Sequence, residues 1–153
     1  MDGSIEDRLA VVEVCTRMAW HADQREWDAL AAIFADKVRL DYTSLNGGEP
    51  ADLTPEQIVD AWKQAFAPLE STQHLVTNHL VDIDGDEAVC TAAFQATHRA
   101  NAAHGGALWT LGGTYRFDLI RVGSGWRISG VRMTAAWGDG NRDVMNPRGE
   151  GAR

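Results

Sequence analysis

The sequence is poor in the features that mark secreted, membrane-embedded and nucleic-acid-binding proteins. Two cysteines in 153 residues are too few for a disulfide framework or a cysteine-rich metal site. No apolar run reaches the roughly 18 residues of a membrane-spanning helix, and the acidic N-terminus does not resemble a secretory leader. The net charge of −8 argues against partners such as nucleic acid or an anionic membrane surface. These absences together lead us to expect a cytoplasmic protein.

The composition is that of one ordinary globular domain. Hydrophobic residues make up 44% of the chain and charged residues 24%, so disorder is not indicated. The length suffices for one packed core and not for two. Six tryptophans are many for this length and suit an apolar pocket or a small, tight core. We expect one domain over residues 1–141 and a loose tail over residues 142–153.

The first 70 residues carry the periodicity and end signals of helices. Apolar spacing predicts helices over residues 5–22 and 26–34, followed by a short strand at Val38–Tyr42. The segment Thr54–Gln57 combines an N-cap threonine, a proline at the first helical position and a glutamine at the third. It predicts a third helix that runs to about Ala67.

The second half changes to the alternating pattern of strands. Four strands are predicted, over residues 73–83, 87–100, 108–122 and 126–137. Tight-turn sequences join neighbouring strands, so the sheet is mainly antiparallel. Helices followed by a long curved sheet predict an α+β fold. Three helices packed on the concave face of such a sheet form a cone, whose open end is a natural ligand pocket.

Asp23 is the most informative residue because it lies where the helix pattern calls for an apolar one. Burying a carboxylate is costly unless it finds a partner. His74 and His98 also fall at apolar or half-buried strand positions, so the three residues could form a proton-transfer site. In the alternative, Asp23 caps the helix end and the histidines are ordinary core residues. The predicted inward helix face consists of Ile5, Leu9, Val12, Thr16, Ala19 and Asp23.

Several segments resemble one known superfamily. Residues 22–28, 38–44 and 71–75, which include Asp23, Tyr42 and His74, resemble segments of scytalone dehydratase. Residues 111–115 and 125–128 resemble hexachlorocyclohexane dehydrochlorinase and SnoaL-like proteins. The resemblance covers about residues 5–141 and implies the cone-shaped nuclear transport factor 2-like fold, in its SnoaL-like and scytalone dehydratase-like branch. It also implies catalysis without a cofactor or metal, and a homodimer or homotrimer.

The resemblance implies roles for four residues. In these families the residues that match Asp23 and His74 form a dyad that removes a proton from carbon. His98 lies at a spacing similar to that of a second catalytic histidine, which protonates or holds the departing oxygen. Tyr42 matches a tyrosine that helps to polarise a substrate carbonyl. Without the resemblance, His98 could equally be a strand-end histidine bonded to backbone, and Tyr42 an ordinary strand residue.

Two departures from scytalone dehydratase argue against scytalone itself as the substrate. Ala22 replaces a partner tyrosine just before the helical aspartate, and Gly113 and Tyr115 replace a serine and an asparagine. We expect the pocket to bind a small apolar or aromatic molecule. The predicted substrate-binding residues are Trp20, Trp27, Phe66, Asn78, Phe94, Trp109 and Tyr115. His79 has the opposite strand parity from His74 and is expected to face away from the pocket.

These observations favour a dehydratase-like lyase that acts on a small cyclic or polyketide-like molecule without a cofactor. A SnoaL-like cyclase or isomerase would use the same base to make an enolate that reacts onward. A non-catalytic small-ligand-binding or assembly module, such as the structural subunit of an oxygenase, is the alternative from another class. Asp23, His74 and His98 lack the spacing of metal ligands, and the sequence contains no dinucleotide fingerprint or nucleophile elbow.

Overall fold

The computed structural model describes residues 3–101 and 105–146. The N-terminal half contains α1 (Ile5–Gln24), α2 (Trp27–Ala32), β1 (Phe34–Asp41), α3 (Thr43–Asn46), β2 (Ala51–Leu53) and α4 (Pro55–Phe66). The C-terminal half contains β3 (Ser71–Asp84), β4 (Glu87–Arg99), β5 (Leu108–Val122), β6 (Gly125–Gly140) and a 3₁₀ helix (Arg142–Met145). Within these residues, no helix combines the length and the apolar character needed to cross a membrane.

The six strands form one open sheet in the order β2-β1-β6-β5-β4-β3. Only β1 and β6 run parallel; every other neighbouring pair is antiparallel. The hairpin-connected strands β3 to β6 are the four that the alternating pattern predicts. Helices α1, α2 and α4 lie over one face of the curved sheet, and the core fills the space between them. The α+β cone is therefore confirmed.

Two adjacent glycines bend the long strand β5. The pairing register of β5 with β6 shifts between Gly112 and Gly113. A Cβ atom on Gly112 would lie 2.1 Å from the side chain of Trp137, and one on Gly113 would lie 2.0 Å from the carbonyl oxygen of Thr134. The neighbours occupy the space that any side chain needs, so the bend depends on glycine.

The predicted inward face of α1 is wrong over most of its length. Ile5 and Leu9 are 69% and 65% exposed. The buried face is instead rotated by one residue, because apolar residues occupy both sides of this helix and periodicity alone does not choose between them. Asp23 still faces inward, with a side chain only 10% exposed. The buried residues of α1 are Val11, Cys15, Met18, Ala19 and Ala22.

Two boundaries differ from the sequence-based expectation. Phe34, predicted to end the second helix, is the first residue of β1 and is almost fully buried. Part of the predicted tail is packed, because Val144 in the 3₁₀ helix lies fully buried against Leu69 and Ala100. The packed chain therefore extends beyond residue 141. The remainder of the predicted tail, residues 147–153, lies outside the described residues.

Asp7 ties the start of α1 to the sheet and makes stability sensitive to acid. Its carboxylate accepts hydrogen bonds from Arg121 Nη1 at 2.9 Å, from Arg121 Nη2 at 3.1 Å and from Trp126 Nε1 at 3.0 Å. The Arg121 and Trp126 hydrogen bonds lower the pKa of Asp7 from 3.8 to about 2. Since the unfolded state binds this proton more tightly, the stabilisation is present above the unfolded pKa and is lost as pH falls toward the folded pKa.

We therefore expect Asp7→Asn to reduce the dependence of stability on pH under acidic conditions. Urea unfolding of the wild type and of the variant, compared at about pH 5 and about pH 2.5, measures this. The wild type should lose more of its free energy of unfolding over that interval than Asp7→Asn does. Equal losses in the two proteins would show that this ion pair contributes nothing.

Candidate active site

A cavity of about 410 Å³ lies between the helices and the concave face of the sheet. Most of its lining is aliphatic or aromatic, and alanines such as Ala22 and Ala96 leave the room for it. Within the described part of the chain, no lysine, arginine, aspartate or glutamate lines this cavity. Its titratable and aromatic lining residues are Tyr42, Trp62, Phe66, His74, Phe94, His98 and Tyr115.

Asp23 and His74 meet at the wall of this cavity. Asp23 lies in the last turn of α1, and His74 lies at an inward position of β3. The Asp23 Oδ1 atom is 2.7 Å from His74 Nδ1, and Oδ2 accepts the backbone N–H of His74 at 2.7 Å. Because a carboxylate only accepts, the imidazole carries its proton on Nδ1 and leaves Nε2 with a free lone pair.

His98 is buried beside His74 on the neighbouring strand. It is 5% exposed, and the two imidazole ring centroids are 5.8 Å apart. His98 Nδ1 lies 3.2 Å from the carbonyl oxygen of Trp109, which only accepts, so Nδ1 carries the proton and Nε2 is an acceptor. Burial, and next the neighbouring His74, lower the pKa of His98. These features favour a neutral histidine that accepts a hydrogen bond over one that donates a proton.

Two tyrosines place hydroxyl groups in the same cavity. Tyr42 follows β1, and Tyr115 is an inward residue of β5. Burial raises the pKa of both phenols, and the neighbouring Tyr115 raises that of Tyr42 further. Both hydroxyls therefore stay protonated at neutral pH. Because the two phenols also hydrogen-bond to each other, one of their two hydroxyl protons is left to donate to an oxygen that gains negative charge.

The predicted binding residues divide into those that line the cavity and those behind its wall. Phe66, Phe94 and Tyr115 line it. Trp27 lies behind Phe66, with ring centroids 6.4 Å apart. Trp109 packs against a second small core cluster, and its carbonyl oxygen holds His98.

Trp20 does not line the central cavity. It is 59% exposed and borders an open groove on the outer side of β3, together with Leu75 and Leu108. Asp23 and His74 line this outer groove, and His74 also lines the central cavity. His74 therefore lies between the two spaces.

A bulge in β3 overturns the predictions for Asn78 and His79. The register with β4 shifts between Thr77 and Leu80, and Asn78 adopts a left-handed backbone with φ of 59°. The extra residue moves Asn78 to the outer face of the sheet and turns His79 inward. Burial lowers the pKa of His79, whose Nε2 atom is buried without a hydrogen-bond partner among the described residues.

Sequence reasoning missed three residues that shape the site. Trp62 of α4 packs edge-on against Tyr42, with centroids 6.5 Å apart. Thr72 donates a hydrogen bond of 2.9 Å to Asp23 Oδ1, and Arg25 donates one of 2.9 Å to Thr72 Oγ1. The signal for Thr72 was its strand parity with His74, which places both side chains on one face. Arg25 follows the helix end, where sequence alone does not indicate its direction.

His74 and His98 both use Nδ1 for hydrogen bonds within the protein, which leaves their Nε2 atoms as acceptors. Across residues 3–101 and 105–146, three or more histidine, cysteine or carboxylate side chains do not group as cation ligands do. Cys15 and Cys90 are free thiols buried in the core.

Comparison with known proteins identifies the family. The profile of the SnoaL-like domain matches residues 3–132. A search of proteins with curated function finds no match. The crystal structure of the Kfla4162 protein from Kribbella flavida is 29% identical, with 92% of this chain and 97% of that chain covered and a TM-score of 0.87.

Two structures from Novosphingobium aromaticivorans are also similar. One, provisionally named an aromatic ring hydroxylase, is 24% identical, covers 94% of this chain and 99% of its own, and has a TM-score of 0.81. The other, provisionally named a scytalone dehydratase, is 17% identical with a TM-score of 0.78, covering 90% of this chain and 89% of its own. These likenesses confirm the nuclear transport factor 2-like fold. The chain belongs to the SnoaL-like domain family.

Proposed function

We propose that the protein is a cofactor-independent lyase of the dehydratase type, which removes a proton from carbon in a small cyclic or polyketide-like substrate. The observation that carries this proposal is the 2.7 Å contact between Asp23 Oδ1 and His74 Nδ1 at the wall of an apolar cavity. A carboxylate on one imidazole nitrogen fixes the tautomer and stabilises the imidazolium, so the other nitrogen serves as a general base.

The reaction begins when His74 Nε2 takes a proton from the carbon next to a substrate carbonyl. The electron pair of that C–H bond moves into the carbonyl to form an enolate, whose oxygen accepts hydrogen bonds from Tyr42 or Tyr115. The enolate then expels a hydroxyl group from the adjacent carbon, and His74 returns its proton to give water and an enone. His98 Nε2 accepts a hydrogen bond from the departing hydroxyl and so orients it.

The lining of the cavity indicates the class of substrate. Burying a charged ligand without a partner charge is costly, and within the described residues this cavity presents no cationic side chain. A volume of about 410 Å³ lies within the usual range for small-molecule pockets. These features support a neutral ring compound with one or two oxygen substituents.

A SnoaL-like cyclase or isomerase is the second candidate. It is favoured by one observation: both imidazoles present acceptor nitrogens, so the phenols are the donors that face a bound substrate. An enolate held by phenols could react onward without expelling a leaving group. A non-catalytic assembly module, which the name of the ring hydroxylase relative suggests, does not explain why a carboxylate and an imidazole are paired at the cavity wall.

A crystal structure with an unreactive bicyclic ketone tests the placement of the substrate. We expect the acidic carbon within about 3.5 Å of His74 Nε2, the distance of a near-attack geometry. The carbonyl oxygen should lie within hydrogen-bond reach of Tyr42 or Tyr115. Ketone bound in the outer groove beside Trp20, or with its acidic carbon on the far side of the cavity, would contradict the proposal.

A further inference from the structure

Arg25 and Thr72 form a chain of hydrogen bonds that ends on the Asp23 carboxylate. Arg25 Nη1 donates to Thr72 Oγ1 at 2.9 Å, and Thr72 Oγ1 donates to Asp23 Oδ1 at 2.9 Å. Asp23 Oδ1 is the same oxygen that His74 Nδ1 contacts. Thr72 is almost fully buried, with 8% of its surface exposed. These hydrogen bonds therefore connect the Arg25 guanidinium to the His74 imidazole through the buried Thr72 hydroxyl and the Asp23 carboxylate.

The direction of the Thr72 hydroxyl is set by its two partners. A hydroxyl has one proton to donate and lone pairs to accept. Because the Arg25 N–H occupies a lone pair of Thr72, the hydroxyl proton is directed to Asp23. Asp23 Oδ1 then receives donors from both Thr72 and His74, while Oδ2 receives the His74 backbone N–H. These contacts define the plane of the carboxylate.

The backbone conformation of Arg25 is a second observation that points to a role for its side chain at this site. It has a φ of 60° at the C-cap of α1, a left-handed conformation that glycine or asparagine adopts more readily. A non-glycine residue held there costs free energy, and such residues cluster at functional sites. The same guanidinium donates to the carbonyl oxygen of Ala22 at 3.0 Å and lies 4.8 Å from the centre of the Phe66 ring. It thus joins the helix end to the wall of the cavity.

We propose that Arg25 and Thr72 are positioning residues, which orient the Asp23 carboxylate so that it holds the His74 proton on Nδ1 and keeps Nε2 available as a base. This inference rests on the proposed function, because it assigns a role within the same site. Neither residue touches the substrate. Arg25 orients the hydroxyl of Thr72, and Thr72 in turn orients and stabilises the carboxylate.

The tautomer of His74 tests this directly and requires no substrate. Long-range ¹H–¹⁵N correlation spectra of protein with labelled histidine distinguish Nδ1–H from Nε2–H imidazoles at alkaline pH. The His74 signals are assigned by their loss in His74→Gln. In the wild type, His74 should show one well-separated pair of nitrogen shifts, with the proton on Nδ1.

Four variants separate positioning from structural support. Thr72→Val keeps the shape and removes the hydroxyl, and Arg25→Gly removes the guanidinium while suiting the left-handed backbone. In both, the two nitrogen shifts of His74 should move toward each other as the tautomers mix. Thr72→Ser retains the hydroxyl and should restore the wild-type shifts. The matched control is Thr97→Val, because Thr97 Oγ1 bonds Thr110 Oγ1 at 3.0 Å and makes no hydrogen bond to Asp23, Thr72 or His74 within the described part of the chain; it should leave the shifts unchanged.

The outcomes distinguish this inference from the proposed function. A wild-type His74 protonated on Nε2 would overturn the Asp23–His74 base and this inference with it. A wild-type His74 protonated on Nδ1, with unchanged shifts in folded Thr72→Val and Arg25→Gly, would overturn only the positioning role. If Thr72→Val does not fold, Arg25→Gly alone decides, since glycine fits the backbone there. Equal shifts in Thr72→Ser and Thr72→Val would also contradict the proposal.

Discussion

Replacing His74 by alanine is expected to lower the rate of α-proton exchange of a bicyclic ketone by about 10³-fold, the usual contribution of a positioned general base. The substitution removes the nitrogen that takes the proton. Asp23→Asn should cause a similar loss for a different reason. The asparagine amide can donate to His74 Nδ1, so the imidazole proton moves to Nε2 and blocks the base. Deuterium incorporation followed by NMR measures both rates.

The control for charge and shape is Asp28→Asn, at an exposed position in the first turn of α2. It should exchange the ketone at the wild-type rate. Both active-site variants should keep the wild-type circular dichroism spectrum, since His74 and Asp23 lie at the cavity wall. A folded His74→Ala protein with undiminished exchange would remove His74 from the chemistry.

Gly113→Ala is expected to have the largest effect on stability. A Cβ atom there would lie 2.0 Å from the carbonyl oxygen of Thr134 and 3.1 Å from the ring of Phe94, a cavity-lining residue. The backbone of Thr134 cannot move aside as a flexible side chain can, so β5 and β6 must separate locally to make room for the added methyl group. We expect a loss of about 3 kcal/mol in the free energy of unfolding, the upper part of the usual range for overpacking. Thermal and urea unfolding measure it.

The matched control is Gly125→Ala in the same sheet. A Cβ on Gly125 meets no atom within 4 Å, and its backbone is not left-handed. The free energy of unfolding should therefore change by less than about 0.5 kcal/mol. Similar losses in the two variants would show that general strand propensity, and not the close approach at Gly113, determines the effect.

The fold could be predicted from the sequence because the signals for its helices and strands were local and mutually consistent. Alternation over residues 73–137 predicted four hairpin-connected strands, and the capping box of Thr54 and Gln57 correctly placed the start of α4. The orientation of α1 could not be read in the same way. With Val11 and Val12 adjacent, and further apolar residues on both sides, either face could have been buried. Packing against the sheet decides between them.

The inward placement of the candidate site residues was predictable where a polar residue interrupted an apolar pattern, and not where strand geometry was irregular. Asp23, His74 and His98 all lie inward, as their positions indicated. Asn78 does not, because strand parity fails at a bulge and one extra residue reverses every side chain beyond it. The contact between Arg25 and Thr72 could not be predicted from the sequence, because the two residues are far apart in the chain and no local pattern encodes their hydrogen bond.

The most direct measurement is deuterium incorporation by the wild-type protein into a bicyclic β-hydroxy ketone in D₂O, with the enone followed by its absorbance. We expect enone to form, and we expect wild-type protein, but not His74→Ala, to accelerate its formation. Exchange of the α-proton without formation of enone would support the Asp23–His74 pair as the base and would indicate isomerisation or cyclisation instead of elimination. Ketone that binds in the cavity with neither exchange nor enone would contradict the claim that this pair takes a proton from carbon.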